Sequence, residues 1–433
     1  MLVAAPGDAA ADSEPSPADE PAAKPALTRA GDGPIIELYT FGVGRLIWEK
    51  WGHGAICVRY RQRARDRCYN FGATDFSDGV GVMWGFLRGD AEFWVALDRP
   101  EKMVRLYRNK DRNIWVQRIP MPQDKAEAMA AKLANDAKPE NKYYKYDHFY
   151  DNCTTRLRDY IDEAVGGKLS QAKNKVLPRT MRQMGREGLA EVPALKIIGD
   201  LFAARTLDKN PTEWEAMFLP DYLREAVANQ LGVEPVQIHE REGPPFPRTG
   251  SSGRFMFFLL IVALSIPALV TRLLRRFQRV GLAVTMLLPT ITGLLVWGVV
   301  LLSAVPELTR NETFWVLVPL DALVVFLRRP LRVTYARARV VMLCLIALLL
   351  VFGVFTQPLW LAMLWAVIPM LIVAFPAPAR RYCGWGDRHR DAVRAAKAEA
   401  RAVAESAVVP SVVADGSGAA ELPLTAGDGD EEE

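Results

Sequence analysis

Hydrophobic and polar positions divide the chain of 433 residues into four parts of different character. Residues 1–34 are mostly Ala, Pro, Asp and Glu, a composition that cannot bury a core and is typical of a disordered lead. Residues 35–245 mix short apolar runs with charged stretches, as a water-soluble domain does. Residues 255–377 carry five long apolar blocks, and residues 378–433 form a charged, partly disordered tail.

Within residues 35–245 the pattern predicts strands first and helices later. The short apolar runs at Ile35–Phe41, 55–60 and 67–72 are broken by Gly and charged residues, which is typical of strands. Apolar residues at helical spacing then predict helices over 124–137, 154–165, 193–205 and Pro220–Leu231. Strands followed by helices indicate an α+β domain.

The apolar blocks predict an all-α transmembrane domain of about five helices. They cover residues 255–270, 281–305, 313–327, 340–355 and 359–377. A bilayer core requires roughly 20 apolar residues per helix, which the second and fifth blocks reach and the others reach with their flanks. A buried helical bundle in a soluble domain is the alternative, and five such blocks without a Lys argue against it.

The loops between the blocks predict the orientation in the membrane. Arginine clusters follow the first, third and fifth blocks, whereas the other connections contain only Arg310. Because positive charge stays on the cytoplasmic side, the C-terminus is expected in the cytoplasm and residues 35–245 in the periplasm of a Gram-negative cell. An exported domain needs a signal, so residues 1–34 are either a disordered lead or the remnant of an export signal whose start lies upstream.

Composition adds little to this picture. The net charge of +4 and the mean hydropathy of +0.02 average over parts of opposite character, and so mild a basic excess does not indicate a nucleic-acid partner. The five cysteines are an odd number, so at least one is outside any intrachain disulfide. Cys57 and Cys68 flank a charged turn, and they either bridge a hairpin in an oxidising compartment or are half-buried thiols.

His53 and Cys153 are the candidates for chemistry. His53 lies between two glycines at the start of a predicted strand, and Cys153 begins a predicted helix with Asp151 or Asn152 as its N-cap. A helix N-terminus stabilises an anion and so favours the nucleophilic thiolate. A thiol-enzyme pair is therefore one interpretation, and a structural histidine with a buried structural cysteine is the other.

Other sites have less support. No metal-binding, phosphate-loop or GxSxG motif is present in the sequence, so no metal and no cofactor are expected. Asp321, inside the third apolar block, is either a functional residue or a polar contact between spans.

Three segments together resemble the Lnb-type periplasmic domain. They are Trp-Gly-His-Gly-Ala at 51–55, Tyr-Asn-Phe-Gly-Ala-Thr-Asp-Phe at 69–76, and Tyr-Lys-Tyr-Asp-His-Phe-Tyr-Asp-Asn-Cys-Thr-Thr-Arg-Leu-Arg-Asp at 144–159. Residues 214–223 also fit the C-terminal part of that domain. The resemblance covers about residues 35–230, and the spans that follow are similar to the membrane region of full-length Lnb-type proteins.

The resemblance implies a fold and an activity. The family is similar to circularly permuted papain-like (NlpC-type) thiol enzymes, in which His precedes Cys, and the Asn-Cys pair also resembles lecithin–retinol acyltransferase. Lnb-type proteins act as lipoprotein N-acyltransferases, which move an acyl chain from a phospholipid to the α-amine of a diacylglyceryl-cysteine lipoprotein. A multi-pass protein of the inner membrane, with these two lipids as substrates, is therefore expected.

The same resemblance implies roles for individual residues. Cys153 is the expected nucleophile and His53 the expected base. The third, orienting residue is expected on the strand after His53, with Asn70 as first choice and Thr74 or Asp75 as alternatives. Further residues that line the site are expected to be Asn152, His148 and Tyr146.

Two other functional classes remain open. One is a membrane-anchored cysteine amidase or peptidase that acts on cell-wall peptides and uses the same Cys153 and His53. The other is a non-catalytic module with a degenerate fold.

Overall fold

A single antiparallel sheet organises the external domain in the computed structural model, which describes residues 33–375 and 385–406. The strands are β1 (Ile35–Phe41), β2 (His53–Arg59), β3 (Arg67–Ala73), β4 (Glu92–Asp98), β5 (Ile114–Arg118), β6 (Tyr143–Lys145) and β7 (Val236–His239). Within the described residues their order is β6-β4-β3-β2-β1-β5-β7. The predicted strand at Ile35–Phe41 is confirmed, and the next two agree within two residues.

The helices of the external domain follow the first three strands. They are α1 (Gly79–Arg88), α2 (Pro100–Asn109), α3 (Gln123–Asp136), α4 (Cys153–Ala164), α5 (Met181–Gly188), α6 (Pro193–Phe202), α7 (Glu213–Ala216) and α8 (Pro220–Leu231). All four predicted helices are present, and α8 has the predicted bounds. The domain is therefore α+β, as expected.

The sheet has an apolar core on each face, because successive side chains of a strand point to opposite sides. Ile36 and Leu38 of β1 face α3, α4 and α8, whereas Phe41 of the same strand faces Met103 and Tyr107 of α2. Helices therefore cover both faces of the central strands.

A disulfide joins β2 to β3. Cys57 is directly opposite Cys68 in the antiparallel register, and the two form a disulfide. This decides between the two alternatives that the sequence leaves open for this pair.

Three helices among the described residues are long and apolar enough to cross a membrane: α9 (Arg254–Leu274), α10 (Gln278–Leu302) and α13 (Arg329–Val351). A shorter apolar helix, α14 (Trp360–Ala374), corresponds to the fifth predicted block. Helix α13 begins earlier than the fourth block does, so several arginines that the pattern places in a connection, such as Arg337 and Arg339, belong to the first half of a helix.

The third apolar block does not form the single helix expected for it. After the one-turn helix α11 (Pro306–Thr309), this block contains only the one-turn helix α12 (Thr313–Val316) and a 3₁₀ segment, Pro319–Val325. Pro319 has no N–H to donate to a regular helix. Asp321 accepts hydrogen bonds from Tyr335 and from Arg339 of α13, which anchor the irregular backbone.

This irregular segment runs antiparallel to α10. The indole N–H of Trp297 donates to the carbonyl of Phe314 at 3.0 Å, and a Cβ at Gly293 would lie 2.6 Å from the carbonyl oxygen of Leu317. Further along, Val324 packs in one cluster with Met286 near the other end of α10. The segment therefore follows α10 along most of its length.

The external domain packs against the apolar helices that follow it. Helix α6 packs Leu201 against Phe257 and Leu343 in the main cluster of the helical block. The chain just after α6 is bonded to the connection that follows α10, since the Ala204 N–H donates to the Glu307 carbonyl at 2.7 Å. These contacts make residues 33–375 one packed unit.

The expectations for the ends of the chain fall largely outside the described residues. The disordered lead or export-signal remnant at 1–34 and most of the cytoplasmic tail at 378–433 belong to this category. Within the tail, the described residues form one helix, α15 (Trp385–Ser406), in a second unit of the chain.

Candidate active site

Cys153 is the first residue of α4 because Asn152 caps that helix. The side-chain oxygen of Asn152 accepts from the N–H groups of Thr154 at 2.8 Å and Thr155 at 2.9 Å, and Thr155 Oγ1 accepts from the Asn152 N–H at 2.8 Å. Such a capping box satisfies N–H groups that a helix start leaves open. The Asn152 side chain thus binds the N–H groups of Thr154 and Thr155 and leaves the N–H of Cys153 unused by the cap.

The rest of the Asn152 side chain fixes the loop before α4. Its amide nitrogen donates to the His148 carbonyl at 2.7 Å and to the Phe218 carbonyl at 2.9 Å. Asn152 lies at the recess, and both the nitrogen and the oxygen of its side-chain amide are hydrogen-bonded. Its observed contacts hold the backbone around Cys153 in place.

His53 is the first residue of β2 and is almost completely buried. Its ring lies 6.0 Å from that of Phe41 and 6.1 Å from that of Tyr107, measured between centroids. Burial lowers the pKa of His53 well below its usual value, and the nearby charge of Arg112 acts in the same direction. His53 is therefore neutral at neutral pH, which is the form that accepts a proton.

His53 and Cys153 line the same recess, a cavity of about 170 Å³. Its walls are mainly apolar and aromatic, with a few polar groups, as is usual for sites that bind organic molecules. The other described residues that line it are Trp48, Trp51, Gly52, Gly72, Tyr146, His148, Phe149, Asn152, Thr154, Gly185, Phe218, Leu219 and Pro220.

Two glycines allow α4 to approach the sheet at this recess. A Cβ at Gly54, next to His53, would lie 2.8 Å from a methyl group of Leu157 in α4. Gly72 has φ of +86°, and a Cβ there would lie 3.4 Å from the Cβ of Cys153. A side chain at position 54 would therefore displace the Leu157 side chain, and one at position 72 would be strained by the positive φ.

Among the three candidates for the orienting residue, Asn70 is the one whose side chain interacts with His53. The Asn70 side chain is fully buried, and it raises the pKa of His53 against the effect of burial. Thr74 Oγ1 instead faces the Glu92 carbonyl, at 3.4 Å. The Asp75 carboxylate accepts from the Ser77 N–H at 2.8 Å, which lowers the pKa of this exposed group.

Tyr146 and His148 both lie on the wall of the recess. The Tyr146 ring stacks on Phe93 with centroids 4.2 Å apart, and the His148 ring packs on Phe86 of α1 at 4.7 Å. His148 is open to solvent at the recess, although the surrounding protein lowers its pKa. Neither contact gives His148 a bond to His53 or Cys153.

A buried arginine lies behind the histidine, and the sequence gives no signal for it. Arg112 is fully buried, donates to the Gly42 carbonyl at 2.7 Å, and lies with its guanidinium 4.9 Å from the Tyr107 ring centre. In the sequence this residue stands in a short charged turn, where solvated side chains are the usual case.

Two of the described cysteines are free, Cys153 and Cys344. Cys344 belongs to α13, so Cys153 is the free thiol of the described external domain. Within residues 33–375 and 385–406, no group of three or more His, Cys, Asp or Glu side chains is arranged to hold a metal ion.

Two elements that flank the recess lie close to the C-terminal end of α10. A Cβ at Gly89, just after α1, would lie 3.2 Å from Val305, three residues past the last residue of α10. Repulsion from Asp147, in the loop that leads to Cys153, helps burial to raise the pKa of Glu307 in the same connection. Helix α1 and the loop before Cys153, which both flank the recess, therefore lie near the connection that follows α10.

Comparison with known proteins assigns the external domain. No curated protein and no solved structure matches the chain significantly. Residues 30–187 match the family model of the Lnb N-terminal periplasmic domain. This match spans both His53 and Cys153, and three membrane-capable helices follow it. The chain is thus a membrane protein whose periplasmic N-terminal domain is of the Lnb type.

Proposed function

We propose that this protein is a thiol-dependent lipoprotein N-acyltransferase of the inner membrane. It transfers an acyl chain from a phospholipid to the α-amine of a diacylglyceryl-cysteine lipoprotein through a thioester on Cys153. The observation that carries the proposal is the shared recess, in which a free cysteine at a helix start and a buried neutral histidine lie at the outer end of a membrane-capable helix.

In the first half-reaction, His53 removes the thiol proton while the Cys153 sulfur attacks the carbonyl carbon of a phospholipid ester. The N–H of Cys153, which the Asn152 cap leaves available, donates to the developing oxyanion. When the tetrahedral intermediate collapses, the ester C–O bond breaks and His53 returns its proton to the glycerol oxygen. A lysophospholipid leaves, and the acyl chain remains on sulfur.

In the second half-reaction, the lipoprotein amine attacks the thioester carbonyl. His53 accepts a proton from the amine, the C–S bond breaks, and the proton passes to the departing thiolate. The products are an amide on the lipoprotein and a free Cys153 thiol. Asn70 keeps the His53 ring oriented through both steps, and the apolar walls of the recess limit the access of water to the thioester.

The membrane arrangement supports this chemistry, because both substrates are anchored in lipid. We propose that α9, α10, α13 and α14 cross the bilayer, with the irregular 313–327 segment as a fifth crossing. The arginine-rich ends then lie in the cytoplasm together with the C-terminus. The order of His53 before Cys153, on a strand and a helix that pack together, is consistent with a permuted papain-like fold.

The experiment is complementation in cells that lack their own N-acyltransferase. Full-length protein is expected to restore N-acylated lipoproteins, detected by mass spectrometry of their N-terminal peptides, whereas Cys153→Ala at equal abundance is not. Cys344→Ala, which removes the other described free thiol, is the matched control and is expected to behave as wild type. N-acylation by Cys153→Ala would refute the mechanism, and absence of N-acylation with wild type would favour the amidase class.

A further inference from the structure

Helix α1 carries an apolar face that no described part of the chain covers. Val80, Met83 and Trp84 are exposed by 82%, 73% and 49% respectively. Their spacing places them on one side of the helix. Every residue of α1 is at least partly exposed to solvent. Contiguous apolar surface of this kind normally marks a site of interaction with protein or membrane.

The same helix forms part of the wall beside the recess. Phe86 packs against Phe93 with centroids 5.6 Å apart, and against His148 at 4.7 Å. His148 lines the recess directly. A molecule that contacts the exposed face of α1 is therefore separated from the recess by the thickness of one helix.

The position of α1 indicates what covers its exposed face. Gly89, the C-cap of α1, approaches Val305 just beyond the outer end of α10. If α10 crosses the bilayer, this end lies at the lipid–water boundary, and α1 lies at that level. Tryptophan is enriched at this boundary, because its indole ring combines an apolar body with a polar N–H.

We propose that α1 is an interfacial helix that inserts Val80, Met83 and Trp84 among the lipids of the outer leaflet. Its opposite side, through Phe86 and His148, guides an acyl chain from the leaflet into the recess. The apolar face of α1 thus contacts bilayer lipid. The closeness of α1 to the end of α10 favours lipid over a second protein as the partner of this face. Insertion rests on the exposed face of α1 and on its closeness to the end of α10, whereas the route for the acyl chain rests on the proposed function.

Insertion is tested on the full-length protein in nanodiscs of phosphatidylethanolamine and phosphatidylglycerol. Met83→Cys is labelled with an environment-sensitive fluorophore after Cys153, Cys344 and Cys383 are replaced by Ser. Lys102→Cys, on the polar helix α2, is the matched control because its side chain is 81% exposed. The label at 83 is expected to be quenched by lipids with a quencher on the acyl chain, and the label at 102 by iodide. Equal responses at both positions would overturn insertion.

The route is tested with the double variant Val80→Asp/Met83→Asp, because charged side chains are costly among lipid chains. Acyl transfer from phospholipid is expected to fall by about tenfold or more, while cleavage of a water-soluble short-chain ester continues at the wild-type rate. Lys102→Asp is expected to change neither rate. Equal loss with both substrates would overturn the route, since α1 would then only support the fold. A wild-type protein inactive on phospholipid would refute the route and the proposed function, and would leave the quenching result unaffected.

Discussion

The first residue of α4, Cys153, and the first residue of β2, His53, line one recess although they stand 100 positions apart in the sequence. Gly54 and Gly72 make this possible, because α4 packs directly over the backbone at both positions. Because both residues belong to regular secondary structure, the backbone at each of them is held in place by its strand or helix. This rigidity suits the roles of base and nucleophile that we propose for the two residues.

Asn70 is expected to act through His53. Replacement by Ala removes the buried amide that acts on the imidazole and should lower kcat by about tenfold, the factor that corresponds to roughly 1.4 kcal/mol. The KM for phospholipid should change little, because Asn70 is behind the ring. Steady-state kinetics in nanodiscs measures both values.

Thr74→Val provides the control for Asn70, because Thr74 Oγ1 faces the Glu92 carbonyl. This variant should retain wild-type kcat. A large loss with Thr74→Val and none with Asn70→Ala would mean that Thr74 is the orienting residue.

The pH dependence of thioester formation should reflect the neutral state of His53. Because burial lowers the pKa of His53, the basic form persists as the pH falls from 7.5 to 6. At an ordinary histidine pKa of about 6.5, roughly three quarters of the imidazole would already be protonated at pH 6. The rate of acyl-enzyme formation without acceptor is therefore expected to stay nearly constant over this range. A fall of severalfold, with a midpoint near 6.5, would show that His53 titrates normally.

The buried pair Asp321 and Arg339 should stabilise the irregular segment beside α10. Two hydrogen bonds, at 2.6 and 2.8 Å, join the carboxylate to the guanidinium. Asp321→Asn leaves a buried cation without its counter-ion and should cost about 3–5 kcal/mol of stability. The midpoint of unfolding in mixed micelles measures this loss.

The double variant Asp321→Leu/Arg339→Leu separates structure from function at this pair. It removes both charges, so it should unfold at a higher midpoint than Asp321→Asn alone. If Asp321→Asn instead abolished acyl transfer with an unchanged unfolding midpoint, Asp321 would have a direct role in the reaction.

The disulfide between Cys57 and Cys68 should stabilise the β2–β3 hairpin without taking part in the chemistry. Replacing both residues by Ala should lower the free energy of unfolding by about 2–4 kcal/mol, because the unfolded chain is no longer constrained. Transfer activity below the unfolding temperature should persist. Loss of transfer in a fully folded double variant would contradict this assignment.

Local signals predict some elements to the residue. Helix α8 begins at Pro220 and ends before Gly232, which has φ of +69°, so both ends are set by residues with strong conformational preferences. Helix α4, which begins at Cys153, is predicted nearly as well, because Asn152 is a strong N-cap. His53 and Cys153 are found as candidates for the same reason: each stands at such a boundary.

Features that depend on long-range packing are not predicted. Arg112 comes to lie behind His53 only when β1 and β5 pair, and its charged neighbours in sequence suggest a solvated turn. Asn70 cannot be separated from Thr74 by counting along the hairpin, because β3 is irregular between Asn70 and Ala73. The third apolar block has the composition of a span, but Pro319 and the pairing of Asp321 with Arg339 accompany irregular backbone there.

The most direct measurement is the intact mass of Cys153 peptides after the protein is incubated in nanodiscs with a phospholipid of defined acyl chains and no acceptor. The account predicts an acyl adduct on Cys153 that is absent in His53→Ala. It also predicts that a diacylglyceryl-cysteine peptide removes the adduct and emerges with the same acyl chain on its α-amine. An N-acylated peptide formed without any adduct on Cys153, or an adduct that the amine cannot remove, would contradict the central claim.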